Sequence, residues 1–168
     1  MNFQAFEQSI VSPALKHVAA HWNEVRGSRA MPSWSDIRPL HIKAELPLTW
    51  SYKYDKTADA LIGRLAGDQI EKVFRKTFRG TPMSALYPAD TYPHMFARFR
   101  RVVCEPALYR GEGMIFKCVD HYGHGERIVL PLSGDGVLGD GILGATKYNS
   151  IRGHPGIEHP ESEAWFAL

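Results

Sequence analysis

Three groups of residues in this chain could carry chemistry: eight histidines, two cysteines, and the glycine-punctuated stretch ALIGRLAGDQIEKVFRKTFRG at residues 60–80. A phosphate-binding loop needs G-x-x-x-x-G-K-[ST] or G-x-G-x-x-G, so that backbone N–H groups cradle the anion at a helix start. Here Gly67 is followed by Asp68, which puts a carboxylate where a phosphate would sit. Asp68 and Glu71 read instead as a capping box opening a helix after a strand. His121 and His124, with Asp120 beside them, lie in a glycine-containing turn, and His154 and His159 lie in the tail. A metal site needs three or four converging ligands with a fixed second layer of partners, which an exposed turn does not supply. His94 could face a haem from the start of a long helix, but a surface position is far commoner. Cys104 and Cys118 match no metal spacing and lie in apolar contexts, so they read as reduced core residues. No G-x-S-x-G elbow is present. Glu126 and Arg127 open a strand pointing to opposite faces, each with a structural salt bridge as the default.

The elements that would position these residues follow from periodicity. Ser12 and Pro13 suit a helix start, Leu15, Val18, Ala19 and Trp22 recur at helical spacing, and Gly27 suits the stop. Phe3, Phe6 and Ile10 form a shorter stripe before it. Such an N-terminal helix either packs on its own domain or pairs with a second copy. Pro39 to Leu46 allows two helical turns before Pro47. Leu48, Trp50, Tyr52 and Tyr54 alternate with polar residues, which predicts a half-buried strand, and ALIGRLAG returns as its hairpin partner. Ile70, Val73, Phe74 and Phe78 predict a helix ending at Gly80. A short helical piece follows in TPMSALYPAD, and Asp90 then caps a long amphipathic helix. Three strands, ALYRGEGMIFKCV, ERIVLPL and ILGATKY, follow, with Pro131 near a strand end. The last segment, from residue 151, loses its pattern and reads as a loosely held tail in which Trp165, Phe166 and Leu168 could dock.

Bulk properties narrow the class. At 168 residues with 44% apolar and 23% charged residues, the chain suits one globular domain with terminal extensions at 1–27 and 151–168 around a core at 31–150. A net charge of +2 creates no field calling for nucleic acid or an anionic membrane. Arg75, Lys76 and Arg79, and Arg98, Arg100 and Arg101, sit late in helices, where cations complement the dipole. No secretory leader or membrane-length apolar run is seen, so the chain reads as cytoplasmic. The strands are mostly consecutive, which predicts an α+β layout with an antiparallel sheet and grouped helices.

Four pieces then carry a resemblance: MPSWSDIRPLHIKAELP before the first strand, IGRLAGDQI closing the second, FRGTPMSALYP after the next helix, and GERIVLPLSGDG late in the chain. In order and motif the chain resembles the PAS domain, in particular short single-domain bacterial PAS proteins, over residues 31–148. The resemblance implies a five-stranded antiparallel sheet with helices on one face and an N-terminal flanking helix. Gly63 and Gly67 would then serve close approach and a sharp exit toward the helices. It also implies a sensory or regulatory module that signals through a homodimer or a signalling protein partner, not an enzyme. Leu15, Val18 and Trp22 would form the dimer contact. A small-molecule ligand would lie between sheet and helices, with Trp50, Tyr52, Phe74, Phe96, Phe99 and Cys118 as lining candidates. No cofactor is named, and no catalytic or metal residue is assigned. One alternative is an interaction adaptor with a filled core. Another is a small α+β isomerase or hydrolase using a pocket acid such as Glu71 or Asp120.

Overall fold

The computed structural model describes residues 3–117, 122–152 and 162–168. Cys118, Asp120, His121, His154 and His159 fall outside them. Two helices open the chain, α1 (Phe3–Ser9) and α2 (Pro13–Arg26). A hairpin follows, β1 (Thr49–Asp55) and β2 (Ala60–Ala66), and then three helices, α3 (Asp68–Phe74), α4 (Met83–Leu86) and α5 (Tyr92–Cys104). Four strands complete it: β3 (Ala107–Lys117), β4 (Tyr122–Leu132), β5 (Gly141–Arg152) and β6 (Ser162–Ala167). All pairings are antiparallel, in the order β2-β1-β5-β4-β3-β6.

The sheet therefore has six strands, not five. The sixth comes from the tail, whose residues 162–167 pair along the free edge of β3. The edge offers unpaired backbone groups, and alternation in β6 sends Trp165 to one core and Phe166 to the other. Trp165 meets the Tyr109 ring at 4.8 Å, and Phe166 meets Phe6 at 5.5 Å.

Both faces of the sheet are covered, and each carries its own core. The outer face packs Leu108, Ile128, Leu130, Leu132, Leu143 and Ala145 against α1 and α2. Ser12 caps α2 by accepting from the Leu15 N–H, Pro13 occupies its first turn, and Gly27 ends it at φ 57°. Leu15, Val18 and Trp22 are fully buried against their own sheet, and the Trp22 Nε1–H donates to the Pro131 carbonyl at 2.9 Å. These three residues are thus closed to a second copy, which corrects their assignment to a dimer contact. An apolar stripe at helical spacing looks the same whichever surface covers it. Here the uncovered face of the sheet lies within the same chain.

The inner face packs Trp50, Tyr52, Tyr109, Val129 and Ile142 against α3, α4 and α5. β1 is more deeply set than a half-buried strand: Thr49 and Ser51, on its outer side, are buried as well. α3 stops at Phe74 because Arg75 turns left-handed at φ 54°, short of the expected end at Gly80. Its N-cap is Gly67, without a side-chain cap, so the capping box is not formed. Phe78 is still fully buried, carried in by a segment laid along β2. The Gly63 N–H donates to Thr81 O at 2.9 Å, and the Gly80 N–H donates to Gly63 O at 2.8 Å. A Cβ on Gly63 would overlap the Phe78 carbonyl, and one on Gly67 would overlap the Leu46 carbonyl. Gly63 and Gly67 thus serve close backbone contact, while Gly80 supplies a turn at φ 78°.

Candidate functional site

Adjacent residues on a strand face opposite ways, so Glu126 and Arg127 of β4 enter the two cores separately. On the outer face, Glu126 Oε1 accepts from the Val11 N–H at 2.9 Å and from Arg110 Nε at 2.7 Å. Its Oε2 accepts from the Ser12 N–H at 2.7 Å. One carboxylate thus joins the α1–α2 link to the sheet and neutralises Arg110. Burial works against the Arg110 charge, but Glu126 and Glu112 together raise its pKa above the ordinary guanidinium value.

Arg127, on the inner face, is only 3% exposed and has no carboxylate partner among the described residues. Among the described residues, the expected salt bridge forms for Glu126 and not for Arg127. Its Nε donates to Thr146 Oγ1 at 3.2 Å, an acceptor shared with Trp50 Nε1 at 2.8 Å. Tyr87 and Tyr148 are hydrogen-bonded to its guanidinium. The guanidinium carbon lies 5.8 Å from the Trp50 ring centre and 5.7 Å from that of Phe99, within cation–π range. Burial works against the Arg127 charge, but the surrounding tyrosines, Tyr87 foremost, together raise its pKa above the ordinary guanidinium value.

The aromatic walls are built by register and helical phase. Trp50 stands opposite Gly144, where a Cβ would overlap its indole, and stacks on Phe99 of α5 at 5.0 Å. Tyr52 meets Phe78 at 4.8 Å, and Phe74 meets Tyr87 at 5.2 Å. Tyr52 is 1% exposed, and its hydroxyl has no hydrogen-bond partner among the described residues. Burial pushes the Tyr52 phenol well above its ordinary pKa, reinforced by Tyr87 and opposed by Arg127. Burial likewise raises Tyr87 and Tyr148, so these phenols stay protonated at neutral pH. A buried hydroxyl and a buried cation lacking charged partners are both costly to leave so.

Among the described residues, two openings touch this cluster. A void of about 10 Å³, room for about one water, borders Arg127, Tyr109 and Ile115. Glu163 also borders it, held by Arg98 and within reach of the Tyr109 hydroxyl. A cleft of about 430 Å³ opens outside Tyr148, with Val73, Lys72 and Arg75 on its walls.

Of the lining candidates, Trp50, Tyr52, Phe74 and Phe99 share this core, and Phe96 packs at its margin against Tyr92. Cys118 lies outside the described residues. Cys104 is exposed, not a core residue, because it falls in the last turn of α5. Thr146, Tyr87 and Tyr148 are not singled out by the sequence, and Arg127 reads there as a salt-bridge residue, not as part of a pocket. The available signal was the alternation of ERIVLPL, which places Arg127 on the same side as Val129. The basic helix ends are engaged within the chain: Arg98 pairs with Glu163, Arg100 with Asp59, and Arg101 lies over Trp165 at 4.2 Å. Glu71 lies in the first turn of α3.

A family profile described as a PAS domain matches residues 10–146. The chain belongs to the PAS domain family. The match runs from the end of α1 into β5, so β6 of this PAS domain lies beyond it. No curated protein matches the chain, and no solved structure does. Membership identifies a sensory or regulatory module in general terms. No helix among the described residues is long and apolar enough to cross a membrane.

Proposed function

We propose that this PAS domain is a sensory module that binds a small ligand on the inner face of its sheet and signals through protein contacts. The observation that carries the reading is Arg127, a buried guanidinium with no carboxylate partner among the described residues, beside the unpartnered Tyr52 hydroxyl. A ligand that satisfies both groups adds its binding free energy to the folded state. The family supports sensing over turnover. A second reading, an interaction adaptor with a filled core, is favoured by the small void beside Arg127. A homodimer remains part of the proposal, on a surface other than Leu15, Val18 and Trp22.

Native mass spectrometry of gently purified protein, with an absorbance scan of the same sample, tests the reading. The expected result is a bound mass that is lost in Arg127→Met. A clean apo mass from every preparation would favour the adaptor.

A further inference from the structure

Among the described residues the Arg127 cation meets hydroxyls and rings but pairs with no carboxylate, since Glu163 beside the small void is taken by Arg98, and the chemistry of the site is therefore one-sided. Among the described residues, Arg127 donates to neutral acceptors alone: Thr146, Tyr87, Tyr148 and, at 4.0 Å, the Met95 sulfur. The Tyr52 hydroxyl has a proton with no acceptor among the described residues. What such a set lacks is an anionic acceptor that takes two or more hydrogen bonds at once. A carboxylate does this, and its planar fork matches a guanidinium edge.

The second observation is where this set meets solvent. Tyr148 belongs to both regions: its hydroxyl is bonded to Arg127, and its ring lines the cleft of about 430 Å³. The cleft walls bring Lys72 and Arg75 of the α3 end, Gln69, and Asn149 and Ser150 of β5. No carboxylate is among the described residues that line it. Its volume falls in the range of small-molecule sites, roughly 300–1,000 Å³. Val73 gives it an apolar floor continuous with the inner core.

We infer that the ligand is a small carboxylate that enters through this cleft past Lys72 and Arg75 and is held by Arg127 and Tyr52, taking the place of the Tyr148 hydroxyl on the guanidinium. The inference rests on the ligand-binding reading above and adds the chemical class and the route. The cationic mouth concentrates anions by long-range attraction, and the buried Arg127 supplies the short charge-assisted bonds.

The experiment is calorimetry and thermal unfolding of the full chain with acetate, succinate, benzoate and phenylacetate at millimolar concentration, alongside the neutral amide of each. At least one acid should bind and raise Tm while its amide does not. Arg127→Met should weaken that acid roughly 10- to 100-fold, the worth of a charge-assisted hydrogen bond. Arg127→Lys, which keeps the charge without the fork, should retain part of the affinity and guards against a folding defect. Lys72→Glu together with Arg75→Glu should slow association, with a difference that shrinks as salt rises.

Amides binding as well as acids would overturn the carboxylate class while leaving a ligand-binding module intact. The carboxylate class also falls, and the module again survives, if no acid binds but a neutral mass co-purifies. Acid binding that ignores the charge reversals would overturn the route. If no acid binds and nothing co-purifies, the ligand-binding reading falls with the inference.

Discussion

Glu126 and Arg127 are neighbours on one strand, and the two faces of the sheet treat them in opposite ways. The outer face surrounds Glu126 with a guanidinium and two backbone donors, then seals it under α1 and α2. The inner face surrounds Arg127 with rings and hydroxyls and pairs it with no carboxylate among the described residues. A satisfied buried charge pins structure together, whereas an unsatisfied one stores a demand for a partner. The outer face is thus built to hold the N-terminal helices, and the inner face is suited to receiving something.

The predictions test that contrast, the largest effect first. Trp22→Ala removes a fully buried indole and its bond to the Pro131 carbonyl, and should cost about 4 kcal/mol. Urea unfolding measures this. A loss below about 1 kcal/mol would mean that α2 is not docked as described. Glu126→Ala leaves Arg110 with Glu112 as its one carboxylate among the described residues and strands two backbone N–H groups, and should cost about 3 kcal/mol. Hydrogen exchange should show the loss concentrated at the α1–α2 link. A uniform loss across the chain would argue against its role as a local clamp.

Arg127→Met should behave differently, because it removes a charge that has no charged partner. Ligand-free protein should unfold within about 1 kcal/mol of wild type, or be more stable. A loss above about 3 kcal/mol would make Arg127 a structural residue and erase the difference between the faces.

The smallest effect is a pH dependence of the outer layer. His21 Nε2 accepts from the Arg38 N–H at 3.0 Å, so it must stay neutral. Burial holds its pKa below 6.5, opposed by Glu24 and helped by His41, Arg38 and His17. A histidine with a lowered folded pKa contributes stability that is complete above 6.5 and is lost as pH falls toward the folded value. NMR titration should place the His21 midpoint below 6.5. A midpoint above it would mean that the Arg38 bond does not form in solution.

How far the sequence reached differs between the two faces. The capped α2, the β1–β2 hairpin, the Gly63 and Gly67 contacts and the order of helices before strands were legible, and so was the membership of Trp50, Tyr52, Phe74 and Phe99 in one core. The sequence makes α3 too long because Phe78 continues its apolar phase, and the left-handed turn at Arg75 that interrupts it has no signature in residue type. The β6 segment looks like a loose tail because six residues pairing along β3 owe their form to an edge contributed from far away in the chain.

Local patterns determined what the sequence could show by itself. Caps, turns and periodicities of two and 3.6 depend on residues within a few positions of each other, and these set the elements and their apolar faces. Only the tertiary structure decided what covers each face. The stripe of Leu15, Val18 and Trp22 is equally apolar toward a partner or toward its own sheet, and packing chose the sheet. Glu126 and Arg127 look alike as an adjacent acid and base. Arg110 reaches Glu126 from the neighbouring strand, while tyrosines from α4's end, β1 and β5 surround Arg127. Whether a buried charge is answered depends on groups that meet in space, because Coulomb attraction and desolvation follow distance and burial, not position along the chain.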